Sequence, residues 1–380
     1  PTQTYEVMPG QYTGTGVTMY NIKRIVDEAL NSRSRNAGAD SASYMIQQQT
    51  MSRVEAAFNE LTEDDISSRL NSFFAAWSAL QVQPEDVASR NVVLQNADSM
   101  TSVIRELRTD LKDIHDDLNS QIKTSVLEAD TLAQQIAALN SDIVATEAGK
   151  SGAAAALRDQ RDDLLAQLNS LINISTREMP GGSVTVYIGS EPLIQYTDCR
   201  GLTYRDKTNE NGEKVTDIIF ASNKGEVELT TGKLSGLIYS RDEMVGTVIE
   251  NMDSWASSLI YEVNKLHSVG SSMEATSEMV SEYNVLDSAA SLADTDAAGL
   301  QWQATNGVIN VHIFDSSGDI ITTQQVKIDI GAPGNDSLDS VAAKLDAIDG
   351  MDAWVDGAGY LHIESSAAGD SLSALVRTIW

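Results

Sequence analysis

Residues 85–147 read EDVASRNVVLQNADSMTSVIRELRTDLKDIHDDLNSQIKTSVLEADTLAQQIAALNSDIVATE, a stretch without proline or glycine. Its apolar residues recur at helical spacing, namely Val103, Leu107, Ile114, Leu118, Ile122, Val126, Leu132, Ile136, Leu139 and Ile143. An unbroken helix over this range would be about 90 Å long at a rise of 1.5 Å per residue. Because one compact globule cannot enclose such a helix, the stretch predicts a rod that packs against partner helices.

Shorter helices are predicted before this stretch. Residues 1–20 read as an extended segment, and helical spacing then runs from Asn21 to Phe58. Thr62 followed by Asp65 resembles a capping box that starts a second helix. Pro84 is expected to end that helix and to lie in the first turn of the next. The second helix has an apolar face for packing against another helix, formed by Ile66, Leu70, Phe73, Trp77 and Leu80.

The chain after the long helix is predicted to fold back and then to form strands. Gly149 and Gly152 indicate a turn, and residues 153–172 a second, antiparallel helix of the rod. From residue 173 the apolar period changes to two, with turns expected at Gly181-Gly182 and at Asn211-Gly212. Helical spacing returns at residue 232 and ends near His267.

The remainder predicts a linker over residues 270–299 and a separate unit with strands around a helix that starts at Ser337. The predicted fold class is therefore α+β multidomain: an elongated antiparallel helical bundle with an inserted β-rich lobe and a C-terminal α+β outer domain. The predicted segments are an extended start and helical rod (1–172), the β lobe (173–231), a return helix (232–269), the linker (270–299) and the outer domain (300–380), which is expected to be cut short.

Composition limits the classes of function. Of the 380 residues, 55 are acidic and 26 basic, which gives a formal net charge of −29. Such a surface repels phosphate backbones and anionic lipid, so neither nucleic acid nor membrane is an expected partner. Cys199 is the only cysteine, which excludes an internal disulfide, and we interpret it as an ordinary strand residue. Residues 1–12 lack the pattern of a secretory signal, so export would need another route.

Candidate chemical sites are weak. His115 lies among Asp113, Asp116 and Asp117, but its helical neighbours at three and four steps are not carboxylates, which favours a solvated acidic face. His362 and Glu364 could share one face of a strand, and a histidine in the last turn of a helix, as His267 would be, suits the helix dipole. Asp294, Asp296 and Gly299 resemble only a fragment of a calcium loop. Phe73, Phe74 and Trp77 are interpreted as core aromatic residues.

No nucleophile–base pair, zinc motif or phosphate-binding loop stands in the sequence. The prediction is therefore a non-enzymatic structural protein with no catalytic, cofactor-binding or metal-binding residues and no cofactor.

Five segments, in order, resemble the first hook-associated protein of bacterial flagella, the FlgK family. They cover about residues 10–270. These segments are Gly14-x-Gly16-Val17 with Ile22-x-Arg24 and Asp27; Ile66 to Arg90 with its Phe73-Phe74 pair and Pro84; Leu157-Arg-Asp159-Gln160-Arg161-Asp162; Gly232-Lys-Leu234-Ser-Gly236-Leu237 with Arg241-Asp242; and Asn264-Lys-Leu266-His267-Ser268. The family's terminal helices are missing at both ends, so this sequence is expected to be a core fragment.

The resemblance implies a structural subunit at the junction between flagellar hook and filament, needed for filament assembly. It implies four partners: the flagellar hook protein, the second hook-associated protein, copies of the same chain in a ring, and an export chaperone whose binding region is expected to lie outside this fragment. It also implies type III export and an extracellular location in the flagellum.

Three alternatives stay open at this point. The chain could be another axial protein, such as flagellin or the second junction protein, although the Phe-Phe-to-Pro segment favours FlgK. It could be a secreted adhesin with a helical stalk. A hydrolase in the C-terminal unit is the third alternative, without a residue pair to support it.

Overall fold

A computed structural model describes residues 2–9, 11–17, 27–58, 65–148, 153–209, 212–268, 270, 276–315, 317, 319–331, 335–366 and 371–377. The chain forms two compact units, which divide between Asn251 and Met252. Several residues named above lie outside the described residues. They are Asn21, Ile22, Arg24, Thr62, Gly149, Gly152 and Asn211.

The described residues of the first unit form one hairpin and four helices before its β lobe. The elements are β1 (Thr2–Met8), β2 (Gln11–Val17), α1 (Glu28–Phe58), α2 (Ile66–Leu80), α3 (Val87–Glu147) and α4 (Ala155–Leu171). β1 and β2 pair antiparallel, as the extended reading of this segment allows.

The single helix predicted over 85–147 is confirmed, because α3 runs unbroken for 61 residues. It starts two residues later than expected. Asp86 is its N-cap, and its carboxylate accepts hydrogen bonds from the backbone N–H groups of Ala88 and Ser89. Pro84 therefore lies in the connection between α2 and α3 and not in the first helical turn. The apolar stripe of α3 is buried from Leu107 to Ile143.

The start of α2 corrects a second prediction. Asp65, expected three residues inside the helix, is its N-cap and accepts a hydrogen bond from the backbone N–H of Ser68. This N–H, together with the Ser68 hydroxyl, lowers the pKa of Asp65. Asp65 is favoured as the N-cap because its short carboxylate side chain reaches the free N–H groups of the first turn. The helix dipole also stabilises a negative charge at this end.

The helices pack in antiparallel pairs. The connection between α2 and α3 has six residues, so the two contacting helices form a hairpin. Along α4, Arg158 bonds to Glu147 and Arg161 bonds to Asn140 of α3. The partner number falls as the α4 number rises, which confirms the predicted antiparallel return.

The β lobe contains two sheets, and strands from both contact α3. Its strands are β3 (Ile174–Glu178), β4 (Val184–Ile188), β5 (Glu191–Gln195), β6 (Asp198–Cys199), β7 (Leu202–Thr208) and β8 (Lys214–Phe220). The first four form one antiparallel sheet, and β7 pairs with β8. Gly181 and Gly182 make the predicted turn, with φ of 102° and 91°.

The return helix is not uniform. It consists of α5 (Lys233–Tyr239), a π-helical segment (Ser240–Gly246) and α6 (Thr247–Ser268), and the boundary between the two units falls within α6. The wider π-helical turn coincides with Arg241, whose side chain is buried.

The second unit has a mixed α+β core. After the α6 residues, its elements are β9 (Glu278–Val280), α7 (Thr295–Ala298), β10 (Gly307–Phe314), β11 (Ile320–Ile328), α8 (Leu338–Asp346), β12 (Met351–Val355), β13 (Leu361–Ser365) and β14 (Ser371–Arg377). The sheets have the orders β11-β10-β14 and β12-β13-β9. α8 starts at Ser337 as predicted, within a capping box that includes Ser340.

Two features of this unit differ from the sequence prediction. Residues 276–299, expected as part of a linker, belong to the fold because β9 pairs with β13 and Leu292 is buried in the core. Strand β14, which pairs with β10, was not predicted at all. No helix among the described residues has the length and apolar character needed to cross a membrane.

Candidate functional site

A buried pair of polar side chains joins the long helix to the β3–β4 hairpin, the first hairpin of the β lobe. The carboxamide of Asn140 donates to the carbonyl oxygens of Val184 and Tyr196, at 2.8 and 2.7 Å. Its oxygen accepts from the Val184 N–H and from Nη1 of Arg161, both at 3.0 Å. Arg161 also donates to the carbonyl oxygen of Gly182 at 2.7 Å. We call this arrangement the Asn140 clamp.

The same arrangement occurs a second time, further towards the start of α3. Asn119 donates to the Lys214 carbonyl oxygen at 2.9 Å and accepts from the Thr216 N–H at 3.1 Å. Nη1 of Arg241 donates to Asn119 Oδ1 at 3.0 Å and to the Thr216 carbonyl oxygen at 2.8 Å. Asp242 receives two further hydrogen bonds from the same guanidinium. This is the Asn119 clamp.

Both clamps bury an arginine almost completely, with 2% of Arg161 and 3% of Arg241 exposed. A buried guanidinium is tolerated only where hydrogen bonds replace its water. Here the backbone carbonyl oxygens of Gly182 and Thr216 and the two asparagine side chains supply such bonds. Each clamp therefore fixes one hairpin against α3 at a defined register. Sequence reasoning missed Asn119 and Asn140, although a polar residue inside an apolar helical stripe was an available signal.

A third asparagine fixes the end of α4. Asn169 is fully buried, and it donates to the Arg35 carbonyl oxygen of α1 at 2.6 Å. Its carboxamide oxygen accepts from the N–H of Ile174, the first residue of β3. One side chain therefore connects α1, α4 and the start of the β lobe.

Two glycines at the start of the return helix are required by close backbone contacts. A Cβ atom at Gly236 would lie 2.7 Å from the carbonyl oxygen of Ser43 in α1. Gly232 has φ of +98°, and its Cβ would lie 2.7 Å from the carbonyl oxygen of Leu171. The Gly232-to-Gly236 segment thus allows α5 to approach its neighbours closely.

Exposed apolar side chains collect where α2 meets α3. Because these helices form a hairpin, residues near the end of α2 lie beside the first turns of α3. The set comprises Phe74, Trp77, Val82, Val87, Val92 and Leu94, whose exposed fractions range from 39% to 79%. We call this set the hairpin tip. Such a concentration of exposed apolar groups on a helical hairpin is typical of a protein–protein contact surface.

The aromatic residues of α2 divide between core and surface. Phe73 is 4% exposed, whereas Phe74 and Trp77 are 49% and 39% exposed. Their rings lie 5.4 and 6.2 Å from the Phe73 ring, measured between centroids. The interpretation of all three as core residues is therefore correct only for Phe73.

His115 does not lie on a solvated face as predicted, because only 2% of it is exposed. Nδ1 lies 3.3 Å from Asp116 Oδ1, and Nε2 lies 3.9 Å from Glu213 Oε2 in the loop before β8. The prediction failed because the loop before β8, which covers this part of α3, is distant in sequence. The flanking Asp113 and Asp116 are exposed as expected.

The other histidine and carboxylate candidates occupy separate places. His362 bonds to Asp356 at 3.2 Å and stacks on Trp354, while His267 lies in the last turn of α6. Asp294 is the N-cap of α7, where its carboxylate accepts from the Ala297 N–H. Within the described part of the chain, no three His, Cys, Asp or Glu residues are grouped so as to hold a metal ion.

Cys199 is half-buried at the end of the first sheet of the lobe. Burial raises the pKa of its thiol, and the negative charges of Asp130 and Asp198 act in the same direction. A raised pKa keeps the thiol protonated and poorly nucleophilic at neutral pH.

Comparison with known proteins identifies the family. The sequence model of the flagellar hook-associated protein FlgK helical domain matches residues 51–280. The chain belongs to the FlgK family. Both clamp arginines fall within the matched range, so two of the five segments that resemble the family contribute buried structural contacts.

Individual FlgK relatives are distant in sequence. Flagellar hook-associated protein 1 of Escherichia coli strain K12 is 22% identical over 327 residues, which are 84% of this chain and 58% of the relative. The Salmonella typhimurium protein of the same name is 24% identical over 69% of this chain and 48% of the relative. The chain thus spans about half the length of these relatives.

A solved structure shares the fold. The flagellar hook junction protein FlgK from Burkholderia pseudomallei superposes with a TM-score of 0.55 at 16% sequence identity, covering 90% of this chain and 62% of that one. The predicted class, a helical bundle with β-containing additions, is confirmed by this likeness and by the elements described above.

Proposed function

We propose that this chain is a structural subunit of the bacterial flagellum that forms the junction between hook and filament and is needed for filament assembly. The observation that carries the proposal is the match to the FlgK helical domain over 51–280. This match favours a junction subunit over flagellin, the second junction protein and an adhesin with a helical stalk.

The buried contacts within the first unit support a structural role. The motif residues Arg161 and Arg241 are used in clamps that hold the β lobe on α3 and are shielded from any substrate. A subunit that joins the hook to the filament needs such fixed positions between its elements. No residue in this arrangement has a proposed catalytic role.

The hairpin tip is the proposed contact surface for neighbouring subunits. Burial of its apolar side chains would stabilise an assembly by roughly 25 cal/mol per Å². The net charge of −29 opposes association at long range, so apolar contacts are needed at short range. The proposed partners are copies of the same chain in a ring, the hook protein below and the second hook-associated protein above.

The proposal also includes the route and the location of the protein. We propose export by the flagellar type III pathway with a dedicated chaperone, and an extracellular location at the hook–filament junction. The chain carries no disulfide that would have to be broken for passage in an unfolded form.

The test is complementation of a bacterial strain that lacks its junction protein and sheds its filaments. Expression of the full-length protein that contains this chain is expected to restore attached filaments and swimming. A double variant, Phe74→Ser with Trp77→Ser, is expected to be exported but to leave filaments unattached. Continued shedding of filaments, despite export of the unmodified protein, would refute the assignment.

A further inference from the structure

The outer face of the sheet β12-β13-β9 in the second unit carries an aromatic platform. Trp354 of β12 is directly paired with His362 of β13, and their rings stack with centroids 5.2 Å apart and planes within 5°. Asp356 fixes the histidine through a 3.2 Å contact with Nε2. The platform is therefore held in one orientation, while 41% of Trp354 stays exposed.

A row of three carboxylates lies beside this platform. In the strand register, Asp352 pairs with Glu364, and Glu364 pairs with Glu278. Alternation along the strands places all three on the face that carries Trp354 and His362. The row lies about 7 Å from the platform along each strand, the spacing of two residues.

This row is unfavourable for the isolated sheet, because like charges at directly paired positions destabilise an antiparallel sheet. None of the three carboxylates forms an ion pair with a residue that the structure describes. A cationic group from outside the chain would remove the repulsion. The exposed tryptophan indicates which kind of cationic group fits. A planar guanidinium stacks on aromatic rings and also forms paired hydrogen bonds with carboxylates.

We propose that the face formed by Trp354, His362, Asp352, Glu364 and Glu278 binds an arginine-bearing segment of a partner protein. One guanidinium stacks on the free side of Trp354, and the carboxylate row accepts hydrogen bonds from a neighbouring arginine. An extended segment with arginines at every second residue presents both side chains on one face, at a spacing of about 7 Å. This binding is separate from the contacts proposed for the hairpin tip.

The test uses the purified full chain, labelled with nitrogen-15, and the peptide acetyl-Gly-Arg-Gly-Arg-Gly-amide at low salt. The indole N–H signal of Trp354, assigned from the Trp354→Phe variant, is expected to shift with saturation. The same peptide with citrulline in place of arginine keeps the shape but lacks the charge, and it is expected to leave the signal unchanged.

Charge variants locate the binding. Each of Asp352→Asn, Glu364→Gln and Glu278→Gln is expected to weaken binding by about two- to fivefold, the usual range for an exposed ion pair. Asp319→Asn removes one charge from the exposed loop between β10 and β11 and is the matched control, with unchanged binding expected. The triple neutral variant is also expected to resist urea at least as well as the parent, because the repulsion is gone.

Three results would overturn the proposal. The first is an equal shift with the citrulline peptide, and the second is an equal loss of affinity in the Asp319→Asn control. The third is a full shift of the Trp354 signal by calcium chloride alone, which would identify a cation site in place of a peptide site. The assay is independent of motility, so its outcome is separate from that of the complementation experiment.

Discussion

Arg161 Nη1 lies 3.0 Å from Asn140 Oδ1, and the two side chains are buried together between α4 and α3. The same Asn140 oxygen accepts the first N–H of β4, so one atom connects two helices and a strand. Arg241 and Asn119 repeat this relationship at the β7–β8 hairpin. The β lobe is thus attached to the long helix at two equivalent points, each with a buried asparagine at its centre.

Replacement of Asn140 by Ala should destabilise the first unit strongly. The Val184 N–H, the carbonyl oxygens of Val184 and Tyr196, and the Arg161 guanidinium would lose a buried partner. We expect a loss of about 3 kcal/mol in the free energy of unfolding, measured with urea by circular dichroism. Asn96→Ala, at a half-buried position of α3 whose carboxamide bonds to the Val92 carbonyl oxygen of the same helix, is the control and should change this free energy by less than about 1 kcal/mol. Equal effects of the two substitutions would contradict the clamp.

The two clamps should act independently. Asn119 and Asn140 are about 30 Å apart along α3, from the rise of 1.5 Å per residue, and they share no hydrogen-bond partner. The losses of stability in Asn119→Ala and Asn140→Ala should therefore add in the double variant to within about 0.5 kcal/mol. A clearly smaller sum, measured in the same urea titration, would mean that one clamp depends on the other.

Glycine-to-alanine substitutions should have opposite effects in α1 and α5. Gly38→Ala has no atom within 4 Å of the new Cβ, so the higher helix propensity of alanine should stabilise the protein by about 1 kcal/mol. Gly236→Ala places the new Cβ 2.7 Å from the Ser43 carbonyl oxygen and should destabilise it by about 1–3 kcal/mol. Thermal unfolding of the two variants side by side measures the difference. A gain of stability in Gly236→Ala would show that the α1–α5 contact is loose.

Substitutions of the two adjacent phenylalanines in α2 should have different effects, one on the stability of the fold and the other on assembly. Phe73→Ala opens a cavity in the core and should lower the free energy of unfolding by about 3–5 kcal/mol. Phe74→Ser removes a half-exposed ring that lies against Phe73, and it should lower the free energy of unfolding by clearly less, about 1 kcal/mol, yet reduce filament attachment in complemented cells. Urea unfolding and electron microscopy of filaments provide the two measurements. Normal attachment with Phe74→Ser would remove this residue from the contact surface.

The second unit should lose stability in acid through Asp336. Burial opposes ionisation of this carboxyl, but the Asp329 N–H, the Lys344 ammonium and the Ser340 hydroxyl together lower its pKa. A group whose pKa is lower in the folded state stabilises the fold above its unfolded pKa of about 3.9. That contribution is lost as pH falls through the folded value.

The stability difference between the parent and Asp336→Asn should therefore be full at pH 7 and shrink progressively below about pH 4. Urea titrations of the two proteins at a series of pH values measure this difference. A difference that stays constant down to pH 2.5 would exclude Asp336 as the titrating group.

Much of the helical architecture could be predicted because its causes are local. The absence of glycine and proline from 85–147, with an apolar period near 3.6, fixes α3 without reference to any other segment. Ser337 as the start of α8 and Gly181-Gly182 as a hairpin turn follow from equally local rules. The position of Asp65 was misjudged by three residues, because two helix starts were compatible with the same sequence.

Contacts between distant segments decided the rest. His115 is buried by the loop before β8, and the Asn119 carboxamide bonds to a carbonyl oxygen 95 residues away. Strand β14 and the core role of residues 276–299 likewise depend on pairing with β10 and β13. The sequence by itself determined where helices form, since each turn is built from residues four apart. Which polar side chains of those helices become buried depends on what packs over them, and only the tertiary structure decides this.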